Sequence, residues 1–110
     1  MKDQPKASEA QVLAACLQVL EAKKKNLHYW RNNTGALKTE KGGFVRFGSL
    51  GSPDIFVVIG GQCFGLECKS TIGKQSDNQK AWQKKFENAG GIYYIIRSTD
   101  DLLEKLDDFK

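Results

Sequence analysis

Two carboxylates and an ammonium stand where strand residues should be apolar: Asp54 opens the run DIFVVI, and Glu67 and Lys69 end CFGLECK. Side chains alternate along a strand, so Glu67 and Lys69 point to the same face. Gly60 and Gly61 between the two runs predict a tight reversal, hence an antiparallel hairpin that sets Asp54 beside that pair. Two carboxylates about 4 Å apart repel by roughly 4 kcal/mol at an effective dielectric of about 20, so a divalent cation, Mg²⁺ or Mn²⁺, is their natural partner. Held by Asp54 and Glu67, with the main-chain carbonyl of Cys68 as a third ligand, such an ion can lower the pKa of a bound water and polarise a phosphate. Lys69 can orient that water or neutralise developing charge. This is equipment for hydrolysing a phosphodiester. The duller readings are a surface ion pair between Glu67 and Lys69 worth under about 1 kcal/mol, and an Asp54 that merely caps a turn.

The elements that must position these residues are legible in outline. From Ser8, SEAQVLAACLQVLEAKKK opens with a capping box, Ser8 to Gln11, and sets Val12, Leu13, Cys16, Val19 and Leu20 at helical spacing. Glu9 lies near that apolar stripe and could lean over a site, although the helix dipole stabilises an acidic residue in the first turn wherever it points. LHYWRNN predicts a strand, TGALKTEKGG a mobile connection on the nucleic-acid side, FVRF a short strand and GSLGSP a turn into DIFVVI. After TIGKQ, SDNQKAWQKKFENAG predicts a helix with a second capping box, Ser76 to Gln79, and a stop at Gly90. Trp82, Phe86 and Ala89 mark its buried face, and Gln79 lies on the same side. IYYII reads as a buried strand and STDDLLEKL as a closing helix. The expectation is one α/β domain over residues 1–110, a mixed sheet flanked by helices in the order αβββαβα.

A chain of 110 residues has a thin stability margin, and a homodimer interface would add to it. Seventeen Lys and Arg against thirteen Asp and Glu leave a net charge of +4, which permits a polyanionic partner. Arg31, Arg46 and Lys74 are candidate phosphate contacts and Asn33 a candidate hydrogen-bond donor to DNA, while Asp100, Asp101, Glu104, Asp107 and Asp108 make the C-terminus a poor nucleic-acid surface. Cys16, Cys63 and Cys68 form no CxxC pair and have one histidine, His28, to help them. Structural zinc is not expected, and the cysteines read as small buried hydrophobes. His28 sits among aromatic residues, which suits a core or interface position. MKDQPKASE lacks the apolar run of a secretory leader and Ile55–Ile59 is too short to span a bilayer, so the expectation is a cytoplasmic protein with no membrane partner.

Ser52-Pro53-Asp54 followed by Glu67-Cys68-Lys69 resembles the PD-(D/E)xK nuclease signature. Together with Arg31 to Asn33, Arg46 to Gly51, Gly73-Lys74-Gln75-Ser76, Gln79 with Trp82, and Gly90, nearly the whole chain resembles the virus-type replication-repair nuclease (VRR-NUC) family. The resemblance implies a restriction-endonuclease-like fold and divalent-metal-dependent cleavage of DNA. For stand-alone members, typical of phage or prophage proteins, it implies a homodimer arranged like Holliday junction resolvases. By position it makes Asp54 and Glu67 metal ligands, Lys69 the catalytic lysine, Gln79 the helix glutamine near the site, and Glu9 the acidic residue of the first helix that supports metal binding. The expected activity is therefore a structure-selective DNA endonuclease using Mg²⁺ or Mn²⁺ in a bacterial or phage-infected host cell. The rival is a DNA-binding accessory protein that is catalytically inactive or depends on a partner.

Overall fold

Ser8 starts the first helix, α1 (Glu9–Ala22): its hydroxyl accepts the Gln11 N–H at 3.2 Å while Gln11 Oε1 accepts the Ser8 N–H at 2.8 Å. This reciprocal pair is the expected capping box, and it satisfies two donors that a helix start otherwise leaves unpaired. The computed structural model describes residues 7–107, and of Ala36, Arg46 and Phe47 the backbone alone. The first six residues and Asp108 therefore lie outside the described part. After α1 the chain forms β1 (His28–Arg31), β2 (Gly35–Lys38), β3 (Phe44–Phe47), β4 (Ile55–Ile59), β5 (Gln62–Cys68), α2 (Asp77–Asn88), β6 (Ile92–Ile96) and α3 (Thr99–Asp107).

Four strands make a mixed sheet in the order β1-β4-β5-β6, with β5 and β6 parallel and the other neighbours antiparallel. A parallel pair needs a crossover, which α2 supplies. Gly60 and Gly61 turn β4 into β5 with φ of +56° and +80°, the left-handed pair that a two-residue hairpin loop demands. One face of the sheet offers Ile55, Val57, Phe64, Leu66, Cys68 and Ile96 to α1, through Val12, Cys16 and Leu20, and to α3, through Leu102 and Leu106. This is the core, and full burial of each large aliphatic or aromatic side chain there contributes about 1.5–3 kcal/mol. α2 covers the other face, with Trp82 and Phe86 stacked on each other and turned toward Phe56. Phe86 fits because it meets glycines in β5 and just before β6: a Cβ on Gly91 would lie 2.4 Å from its ring, and one on Gly65 3.2 Å.

Several expectations need correction. The element order is αβββββαβα rather than αβββαβα, because residues 35–38 pair with residues 44–47 in a separate two-stranded ribbon. TGALKTEKGG is thus not a loop throughout. Thr39 closes the ribbon's turn, its N–H bonded to the Gly43 carbonyl at 2.8 Å and its hydroxyl accepting the Gly43 N–H at 3.0 Å. Ala89, expected on the buried face of α2, is exposed as the C-cap, with Gly90 following at φ +99°. His28 is not in the core: it is exposed on β1, its ring 5.6 Å from Trp30, because β1 is the edge strand of the sheet, and the interface position expected as the alternative stays open. Cys16 and Cys68 are buried as expected, Cys63 only partly, and all three thiols are free. Among the described residues no helix is long and apolar enough to cross a membrane.

Candidate active site

The β4–β5 ladder pairs Ile55 with Leu66, and one step further along the same register stand Asp54 and Glu67. Both project from the sheet face that α2 covers, since strand side chains alternate and Phe56 and Gly65 lie on that face. Asp54 Oδ2 accepts the Cys68 N–H at 2.8 Å, so the carboxylate of one strand's entry is tied to the backbone of the other strand's exit. Asp54 is fixed from behind as well. Asn32 donates its backbone N–H to the Asp54 carbonyl at 2.7 Å and its side-chain amide to Ser52 Oγ at 2.7 Å and the Pro53 carbonyl at 2.9 Å.

Glu67 is 3% exposed. Its Oε1 accepts from Gln79 Nε2 at 3.0 Å and lies 3.9 Å from Lys69 Nζ, while Oε2 is buried with no hydrogen-bond partner among the described residues. Burial, and then the negative charge of Asp54, push the Glu67 carboxyl up to about 8, with the Lys69 ammonium pulling the other way. The folded environment therefore favours the neutral carboxyl more than water does, and a further cation would reverse that preference. Lys69 is itself buried, and its ammonium lies 3.1 Å from Glu9 Oε1, a carboxylate about half exposed at the start of α1.

Gln79 does two things at once: Oε1 accepts the Ser76 N–H at 2.9 Å as part of the α2 capping box, and Nε2 holds Glu67. The structural and the site role proposed for this residue are therefore compatible. Asp54, Glu67, Lys69, Gln79 and Glu9, together with Leu13, line one cleft of about 320 Å³. The Cys68 side chain points the opposite way, into the core, where its thiol is held above the usual range by a hydrogen bond with Cys16 and by burial. Only the main chain of Cys68 faces the cleft residues, as the bond to Asp54 shows.

Among the described residues no group of three or more His, Cys, Asp or Glu side chains is arranged as a ligand set. The acidic pair Asp54 and Glu67 still fits a hard divalent cation, because Mg²⁺ takes one or two carboxylates and fills its remaining positions with water and phosphate oxygens. The orphaned Glu67 Oε2 is a buried acceptor that such an ion would satisfy.

The expected DNA contacts do not gather here. Arg31, at the end of β1, and Asn33 and Lys74, in loops, are all exposed and outside the cleft lining, and the Arg46 side chain lies outside the described part. Two residues escaped the sequence reading. Asn32, rather than its neighbour Asn33, holds the turn before Asp54; strand parity counted from Trp30, which pairs with Phe56, identifies it once that pairing is known. Arg97 is the other: its guanidinium donates to the carbonyls of Ser70 and Gly73 and staples the loop that follows Lys69. No family model, curated protein or solved structure matches the chain.

Proposed function

We propose that this chain is a divalent-metal-dependent endonuclease with a restriction-endonuclease-like fold, hydrolysing DNA phosphodiesters in the cleft of Asp54, Glu67 and Lys69. The observation that carries the reading is Glu67, a buried carboxyl with one orphaned oxygen beside a second carboxylate. Such a pair is costly in isolation and useful around a cation. Asp54, Glu67 and the Cys68 carbonyl would hold it. Bound there, Mg²⁺ or Mn²⁺ would supply Lewis-acid charge for a phosphate oxygen and a lowered pKa for a coordinated water.

The remaining work falls to the chain's own groups. Glu9 fixes the Lys69 ammonium at the cleft, where it can hydrogen-bond an attacking water and offset negative charge building on the phosphate. Gln79 Nε2 fixes the orientation of Glu67 by donating to its Oε1, and the Cys68 N–H and Asn32 fix Asp54. These contacts anchor the reactive groups on strand ends and a helix start, the arrangement that keeps positional error small. The sequence resemblance extends the proposal to a homodimer acting on branched DNA in the cytoplasm.

Labelled four-way junction and matched linear duplex, incubated with the purified protein in Mg²⁺, Mn²⁺ or chelator, test the reading. Metal-dependent cutting that Asp54→Ala abolishes is the expected result. Absence of cutting by the wild type in either metal refutes it and leaves a DNA-binding accessory protein.

A further inference from the structure

The cleft leaves the β2–β3 ribbon unexplained. Its strands lie against each other in a sheet of their own and, among the described residues, have no extensive contact with another helix or strand, and an isolated two-stranded hairpin is marginally stable in water. Leu37 and Val45, paired across the ladder, are 65% and 55% exposed, and Phe44, paired with Lys38, is 71% exposed. The ribbon thus stands away from the body with apolar side chains in water.

Its root, by contrast, is fixed beside the cleft. Asn32, three residues before β2, holds Ser52, Pro53 and Asp54. Gly48, one residue after β3, has φ +76° and sits so close to the outgoing strand that a Cβ would lie 2.7 Å from the Asn33 carbonyl oxygen. The two strands therefore leave the body side by side, from the loop that carries Asp54. Residues 35–47 contain Lys38, Lys41 and Arg46 against Glu40 alone. Leu37 and Val45 share one face of the ribbon and Phe44 and Lys38 the other, so an occupant of the Leu37 face must be apolar at its centre, with anionic groups at the ribbon's margins within reach of the long lysine side chains. The ribbon of a second copy would bring the same excess of basic residues, Lys38 and Lys41 among them, and set cation against cation. The B-DNA major groove is about 12 Å wide, admits a two-stranded ribbon, and has base edges and thymine methyls on its floor between two rows of phosphate.

We propose that the β2–β3 ribbon is a DNA-docking arm that lies in the major groove of the duplex flanking the scissile phosphate. Leu37 and Val45 face the groove floor, and Lys38 and Lys41 meet the phosphates. The identity of the ligand rests on the nuclease reading, and the way the strands leave the body beside Asp54 makes the arm a ruler between groove and cleft.

The test is equilibrium binding of a short labelled duplex in Ca²⁺ or chelator, read by fluorescence anisotropy over a salt series, for the wild type, Leu37→Ser/Val45→Ser and Lys38→Ala/Lys41→Ala. All four side chains are exposed, so melting temperatures stay at the wild-type value and report intact folding. The serine variant is expected to bind about tenfold or more weakly. The alanine variant is expected to flatten the slope of log Kd against log salt by about 2. Binding by both variants within about twofold of the wild type, with an unchanged slope, overturns the arm. So does a wild-type dimer that the serine variant splits into monomers with full DNA affinity, which would assign the ribbon to a second copy. A wild type that binds through the ribbon and never cuts keeps the arm and refutes the nuclease. One that cuts while both variants bind as it does keeps the nuclease and refutes the arm.

Discussion

Replacing Glu67 with glutamine should stabilise the metal-free fold in alkaline solution, because the folded protein prefers this side chain neutral. Its carboxyl is raised from 4.5 to about 8 by burial and by Asp54. A raised folded-state pKa gives stability that is fully present below the unfolded pKa, declines as pH rises between the two values and is gone above the folded one. At 1.36 kcal/mol per unit the difference has an upper bound of roughly 5 kcal/mol. At about 4 °C per kcal/mol for a domain of this size, that is up to roughly 20 °C in melting temperature. Glutamine has nearly the same shape, carries no charge at any pH and can keep the bond with Gln79 after an amide flip. Thermal melts of both proteins in chelator, from about pH 5 to about pH 9, isolate the residue, since every other titrating group is shared. The wild type should fall away from Glu67→Gln as pH rises. Mn²⁺ at about one hundred times its Kd should return about 2.7 kcal/mol to the wild type at the alkaline end and much less to the variant. Parallel melting curves across the whole range, with no response to metal, would show that Glu67 is an ordinary carboxylate and would remove the central support for the site.

Other perturbations separate positioning from chemistry. Gln79→Ala should cost about 1 kcal/mol in a urea melt through loss of the α2 cap and should slow single-turnover cutting; Gln79→Glu keeps the cap but sets a third carboxylate against Glu67 and should cut more slowly than the alanine variant at neutral pH. Asn32→Ala removes two side-chain hydrogen bonds from the Ser52-Pro53 turn and should lower stability by about 1–3 kcal/mol while reducing the cutting rate, whereas Asn33→Ala, at an exposed position, should leave stability unchanged. Arg97→Ala frees the carbonyls of Ser70 and Gly73, so limited proteolysis should cleave between Ser70 and Gln75 sooner than in the wild type, with a stability loss of about 1.5–3 kcal/mol.

Local chemistry was readable in the sequence and long-range pairing was not. The two capping boxes, Ser8 with Gln11 and Ser76 with Gln79, depend on residues three apart and form as read. The Gly60–Gly61 reversal needs only its own left-handed backbone, and from it the juxtaposition of Asp54 and Glu67 follows by counting. The ribbon was missed because Gly35 to Lys38 have weak strand preference of their own and become a strand through Phe44 to Phe47, whose pairing is stated nowhere in the segment itself. Asn32 escaped notice for the same reason: that it faces Pro53 depends on the pairing of Trp30 with Phe56, across 26 residues. Arg97 acts on a loop that precedes it by 24 to 27 positions, and nothing adjacent to it in the chain announces that.

β5 is hydrogen-bonded on both sides, antiparallel to β4 and parallel to β6, and it carries Glu67 at its end. Amides of a doubly paired inner strand open only with the whole fold, so they exchange with deuterium last, on the timescale of global unfolding. Glu67 is thus mounted on the slowest-breathing part of the protein, with Asp54 and Lys69 next to it at the strand ends and the loops at residues 48–53 and 70–76 framing them. Under the proposed nuclease reading, whatever moved to admit a strand of nucleic acid or release its cut ends would move in those borders, and loop sequence would retune turnover there while the carboxylate pair kept its spacing.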